Sequence, residues 1–163
     1  MEWTHDAISI EPAPHLTVEG LLGILDNSEA SDVERGIAAT DLAWLQRCQQ
    51  GQQLQVSCLR IGDAQIIHLP GEAVVEYQLF AQGLKPEDFV AVAAYGDYGT
   101  GYICLEKHYS EGGYEASERA SRVAPSTEHG LKNAIRTVLA IDNVLASDSG
   151  SEAEAEAEVD ETK

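Results

Sequence analysis

Side chains capable of acid–base or metal chemistry crowd one stretch, residues 66–115. All six tyrosines of the chain lie there: Tyr77, Tyr95, Tyr98, Tyr102, Tyr109 and Tyr114. Glu72 sits in the turn Pro70-Gly71-Glu72, directly after an apolar run. Tyr102 follows the glycine-rich Gly96-Asp97-Tyr98-Gly99-Thr100-Gly101, and Tyr114 closes Gly112-Gly113-Tyr114. Glycines let the backbone adopt turns that other residues resist, and carboxylates and phenols carried on such loops are free to bind or react. An ionised Glu72 suits a metal ligand or a buried anion. On spacing alone, Glu72 reads equally as such a group and as an ordinary acidic residue at a helix N-terminus.

Other chemistry finds less support. The glycine loop lacks the G-x-G-x-x-G order and the Gly-Lys-Ser/Thr of phosphate-cradling loops. His68 and Glu72 are four apart, yet Pro70 and Gly71 between them forbid a shared helical face. His68 therefore reads as a strand histidine in or beside the core. His5, His15, His108 and His129 show no ligand spacing, no G-x-S-x-G is present, and Cys104 reads as packing. Cys48, Cys58 and Cys104 include no C-x-x-C pair and suggest neither a disulfide framework nor a structural zinc site.

Elements that could position these groups follow from capping and periodicity. Trp3, Ala7, Ile8 and Ile10 suggest an extended N-terminal piece, and Thr17 can cap a short helix to Leu25. Ser31-Asp32-Val33-Glu34 is a capping-box pattern. The helix it opens places Val33, Ile37, Trp44 and Cys48 on one side with Leu45 beside them, and Gly51 stops it. Residues 54–61 and 64–69 form a hairpin around Gly62-Asp63. A helix is expected over Glu72–Gln82 with Val75 and Leu79 inward, then a buried strand over Phe89–Tyr95. A turn or two spans Leu105–Glu111. Pro125 and Ser126 open a last helix with the stripe Leu131, Ala134, Val138, Ile141 and Leu145. The order reads ααββαβαα, and from the capped helix onward αββαβαα, a mixed α/β pattern.

The chain has 163 residues, 44% hydrophobic and 23% charged, enough for one core. Its formal charge is −18; the tail Ser147–Lys163 holds seven acids and one lysine and so supplies −6, leaving −12 for residues 1–146. That surface repels phosphate backbones and argues against nucleic-acid binding. The tail has almost no apolar surface to offset its ordering entropy and is expected to be disordered, giving a folded unit at 1–146 and an acidic tail at 147–163. The start MEWTHDAIS has neither a basic nor an apolar leader region, and no apolar run nears the ~20 residues of a membrane span. The chain as written therefore reads as soluble and cytoplasmic, with no transmembrane segment.

Leu69-Pro70-Gly71-Glu72, the Gly101-Tyr102-Ile103 step and Glu111-Gly112-Gly113-Tyr114-Glu115 occur in an order and at separations that resemble the neutral/alkaline non-lysosomal ceramidase family. A weaker similarity runs from about Trp3 to Leu139. Members of that family are zinc amidohydrolases that cleave the amide of ceramide, and they are often secreted. The resemblance implies a partial catalytic domain at 1–146, a fragment of a larger α/β hydrolytic domain. It places the family's glutamate zinc ligand on Glu72, its tyrosine ligand on Tyr102, and its oxyanion-stabilising tyrosine on Tyr114. The family's two histidine ligands have no counterpart here. Two expectations follow. Either the chain is the C-terminal portion of a ceramidase-like hydrolase, inactive without a histidine-bearing N-terminal half and acting on a lipid amide once assembled, or it is a non-catalytic domain of that fold that binds a protein partner.

Overall fold

The computed structural model describes residues 1–96 and 99–140. Asp97 and Tyr98, the last two positions of the C-terminal stripe (Ile141 and Leu145), the 146/147 boundary and the acidic tail lie outside the described residues.

The chain folds as mixed α/β. Its elements, in order, are β1 (Glu2–Ser9), α1 (Val18–Asp26), α2 (Asp32–Gln49), β2 (Gln53–Ile61), β3 (Ala64–Pro70), β4 (Glu72–Ala73), α3 (Glu76–Leu84), β5 (Phe89–Gly96), β6 (Tyr102–Ile103), α4 (Glu106–Glu111) and α5 (Thr127–Val138). A four-stranded sheet runs β1-β2-β3-β5, antiparallel except for the parallel β3–β5 pair, and β4 and β6 form a separate parallel pair. None of the described helices is long and apolar enough to cross a membrane.

Local chemistry accounts for most boundaries. Thr17 Oγ1 accepts from the Gly20 amide at the start of α1. Ser31 and Glu34 form the reciprocal capping box of α2, Ser31 Oγ accepting from the Glu34 amide and the Glu34 carboxylate from the Ser31 amide. Gly62 takes φ +59° in the β2–β3 turn, where a left-handed residue matches the twist of the strands. The N-terminal piece is a full edge strand, in register with β2 from Glu2↔Arg60 to Ser9↔Gln53.

One face of the sheet forms the core. Ile8, Leu54, Val56, Cys58, Ile67, Leu69 and Val90 meet Leu131, Ile135 and Val138 of α5, with Tyr77 and Ala81 of α3 and Trp44 of α2 closing the sides. Trp44 donates from Nε1 to the Arg122 carbonyl at 2.9 Å, and the Arg122 side chain pairs with Asp41 one turn earlier on α2. The opposite face is open. The register lines up Trp3, Leu59, Ile66 and Ala91 in one row and Ile61, Ala64 and Phe89 in the next. Trp3 is 60% exposed, Ile61 51% and Phe89 67%.

Four expectations need correction. The expected helix over Glu72–Gln82 begins at Glu76, because the Glu72 and Val74 amides donate to Gly101 and Ile103 carbonyls and hold that segment extended. On α3 it is Tyr77 and Ala81 that are buried, while Val75 and Leu79 face solvent. On α2 the buried residues are Ala38, Trp44 and Leu45, with Ala38 and Leu45 packed on Leu21 of α1, and Val33 and Ile37 stand outside. Finally, β5 is an edge strand rather than a buried one: Val90 is enclosed, but Phe89, Ala93 and Tyr95 are exposed.

Candidate functional site

The site is built where β3 ends. Gly71 at φ +60° and Gly101 at φ +67° bring two turns together so closely that neither has room for a side chain. A Cβ on Gly71 would come within 1.9 Å of Thr100 Oγ1, and one on Gly101 within 2.1 Å of the Ala120 carbonyl oxygen. The contact sets the β4–β6 pair in a register that places Glu72 directly beside Tyr102. Ser121 Oγ donates to the Tyr102 carbonyl at 2.9 Å, and the Tyr102 amide donates to the Ala120 carbonyl at 3.0 Å, so Tyr102 is fixed on its far side as well. Tyr114 follows Gly112 and Gly113, at φ +84° and +114°, and its ring meets that of Tyr102 edge-on, with centroids 6.1 Å apart.

These turns and the exposed side of β5 enclose an open cavity of about 600 Å³. Its lining includes Glu72, Glu76, Tyr95, Tyr102, Cys104, His108 and Glu115. Glu72 and Tyr102 therefore lie in its wall, and Tyr114 is outside the lining but meets the Tyr102 ring edge-on. Glu72 lies in β4, so the reading of it as an acidic residue at a helix N-terminus is overturned. Glu76, His108, Tyr95 and Glu115 complete the lining. Glu115 closes a motif already noticed, but nothing in the spacing of Glu76 and His108, 32 residues apart, foretold that they would pair.

The electrostatics are those of a carboxylate-rich pocket. The Glu72 carboxylate beside it holds the Tyr102 phenol above the ordinary tyrosine range, and Glu115 adds to the effect. His108 Nδ1 accepts from the Leu105 amide at 3.3 Å, which leaves Nε2 to face Glu76 Oε1 at 3.4 Å. Burial, reinforced by Glu115 and Glu76, pushes the Cys104 thiol up to about 11, so it is protonated at neutral pH and unsuited to act as a nucleophile. His68 lies away from the lining, its ring filling the space that Gly96 leaves by having no Cβ.

As a zinc site the donor set is half complete. Glu72 and Tyr102 are adjacent register partners, and their carboxylate and phenol oxygens are the two donors the chain would offer a cation. A catalytic zinc normally has at least three protein ligands, and no group of three or more His, Cys, Asp or Glu side chains suited to a metal occurs among the described residues.

Fold and site together define a mixed α/β protein with an acidic, phenol-lined cavity at a sheet edge. No protein-family model matches the chain, and neither a curated protein nor a solved structure matches it.

Proposed function

We propose that the chain contributes two ligands, Glu72 and Tyr102, and one catalytic phenol, Tyr114, to a zinc amidohydrolase centre of the ceramidase type, and that two histidines from another polypeptide segment complete it. The observation that carries this reading is the convergence of the three residues. Glu72 and Tyr102 are register partners and Tyr102 and Tyr114 are ring partners, although the chain separates them by 30 and 12 residues. Bound zinc lowers the pKa of a water ligand to about 7 and so supplies a nucleophile at neutral pH. In this reading Glu72 and Tyr102 would hold the cation, one through its carboxylate and the other through its phenol oxygen. Tyr114 donates its O–H to the carbonyl oxygen that gains charge as the amide is attacked. The substrate is an N-acyl amide with a lipid chain. Without the histidines the chain alone does not hydrolyse it.

A second reading, a non-catalytic domain that binds a protein partner, is favoured by the open sheet face bearing Trp3, Ile61 and Phe89.

Zinc titration in the presence of imidazole, as a stand-in for the absent histidine side chains, separates the two. The amidohydrolase reading expects weak zinc binding by the chain alone and a tightening of about tenfold or more with excess imidazole. It expects that tightening to vanish in Glu72→Gln, to weaken in Tyr102→Phe and to persist in Tyr114→Phe. Zinc affinity that ignores imidazole, or that survives Glu72→Gln unchanged, overturns it.

A further inference from the structure

The two edges of the main sheet are protected very differently. Strand β1, at one edge, carries Glu2, His5 and Asp6, and charged residues are a common guard against unwanted pairing. Strand β5, at the other edge, reads FVAVAAYG and has no charge in eight residues. Its first half is shielded: Val90 is buried, and the Gln82 side-chain amide of α3 donates to the Val90 carbonyl at 3.1 Å. Beyond Val90 the shielding stops.

In a strand the backbone groups of alternate residues point to opposite edges. The Tyr95 amide points back across the sheet, donating to the Gly71 carbonyl at 2.6 Å, and the Val90 carbonyl points away from β3 toward Gln82. The amides and carbonyls of Val92 and Ala94 therefore face away from β3, and both residues border the cavity. On an edge strand, with both residues only partly buried and no further strand paired to β5 among the described residues, donors and acceptors in that alternation are complementary to another extended backbone. The side chains such a backbone would place in the cavity meet Glu72, Glu76 and Glu115, with neither lysine nor arginine among the described lining residues. A second copy of this chain is a poor occupant, since each copy carries a formal charge of −18.

We infer that the free edge of β5 from Val92 to Ala94 is a strand-addition site for an extended segment of a protein partner that carries lysine or arginine. The segment pairs with the four outward backbone groups of Val92 and Ala94, and its basic side chain enters the carboxylate-lined cavity. Tyr95, at φ +63°, breaks the strand and limits the pairing to a few residues. The inference needs no metal and goes beyond both readings given above.

The test is selection of a displayed random decapeptide library on the full 163-residue chain, followed by binding of the enriched peptides to variants. The expected peptides carry lysine or arginine among β-forming residues. Val92→Pro removes one outward N–H while leaving the bonds to β3 intact, as prolines at sheet edges do. It weakens binding by about tenfold or more, the usual consequence of losing a backbone hydrogen bond and leaving its partner unpaired. Glu115→Gln leaves the backbone alone and weakens basic peptides selectively. On binding, the amides of Val92 and Ala94 gain protection from hydrogen exchange, which reports the pairing independently of any variant. Failure to enrich any peptide overturns the inference. So does enrichment of peptides that bind Val92→Pro as well as the parent, or that depend on Trp3 and Phe89 instead. A dimer of the chain that Val92→Pro dissociates overturns the choice of partner.

Discussion

Replacing Gly101 by alanine tests whether the close approach of two turns is what seats Tyr102. Two costs combine at this position. Gly101 has φ +67°, a left-handed conformation that costs an L-residue roughly 1–2 kcal/mol. Its added methyl would lie 2.1 Å from the Ala120 carbonyl oxygen, a backbone atom that cannot swing aside. Forced overpacking of that kind costs about 1–3 kcal/mol more. Gly62 is the matched control: it has φ +59° and nothing within 4 Å of where its Cβ would be, so Gly62→Ala incurs the conformational cost alone. At roughly 3 °C per kcal/mol for a domain of this size, Gly101→Ala should lower the melting temperature by roughly 6–15 °C and Gly62→Ala by roughly 3–6 °C. Thermal unfolding followed by circular dichroism measures both. If the two variants melt within about 2 °C of one another, the turn has relaxed without penalty, and the argument that Gly101 fixes the β4–β6 register is wrong. Fluorescence or ultraviolet titration of tyrosine adds a second readout. Displacing β6 separates Tyr102 from Glu72, and the Tyr102 phenol should then titrate lower, because the Glu72 carboxylate no longer opposes its ionisation.

Two further outcomes follow from the packing behind the site. Tyr77 is fully buried and donates to the Cys104 carbonyl at 3.1 Å; Tyr77→Phe keeps the ring but leaves that carbonyl unsatisfied, so unfolding should become easier by about 1–2 kcal/mol, measured by urea denaturation. Burial first, then Glu115 and Glu76, raises the Cys104 thiol from 9.0 to about 11 in the fold. The unfolded chain therefore ionises first, and stability should fall as pH rises from about 9 toward about 11. The slope of melting temperature against pH in that window should be shallower in Cys104→Ala.

Strong local signals carried over from sequence to structure. The capping box at Ser31 and Glu34, the Gly62-Asp63 hairpin and the Thr17 cap are short-range devices whose partners lie within a few residues, and each is present as read. The order ααββαβαα matches the structure once β1, β4 and β6 are added. The N-terminal piece reads as extended, but its pairing with residues some fifty positions on is not legible, and β4 and β6 escape notice because the Glu72 and Val74 amides find their partners in the remote Gly101 and Ile103 carbonyls. The same remoteness misassigned Glu72. The spacing of Val75 and Leu79 fits a helix starting at Glu72, but the Glu72 and Val74 amides are engaged by a segment thirty residues later, and periodicity cannot register that competition. For the site, the glycine-flanked Glu72, Tyr102 and Tyr114 were visible as residue types on turns. Their convergence, and the contributions of Glu76, His108 and Glu115, depend on the tertiary arrangement of turns and α4.

The pairing of β1 also governs how the protein can be made. Thr4 Oγ1 donates to the Val138 carbonyl across 134 positions of chain, and β1 packs against α5 as well as pairing with β2. During synthesis Glu2–Ser9 leaves the ribosome well before α5, so the surface it joins is finished only when residues near 138 have been translated. At about 5–20 residues per second, β1 and β2 wait several seconds after they are made for the α5 surface that covers them. The open contacts span most of the chain, which makes closure slow as well as late. Slowing translation over the codons for Ala124–Val138 would lengthen that exposure without altering a single residue, and the yield of soluble protein would fall although the finished fold is the same.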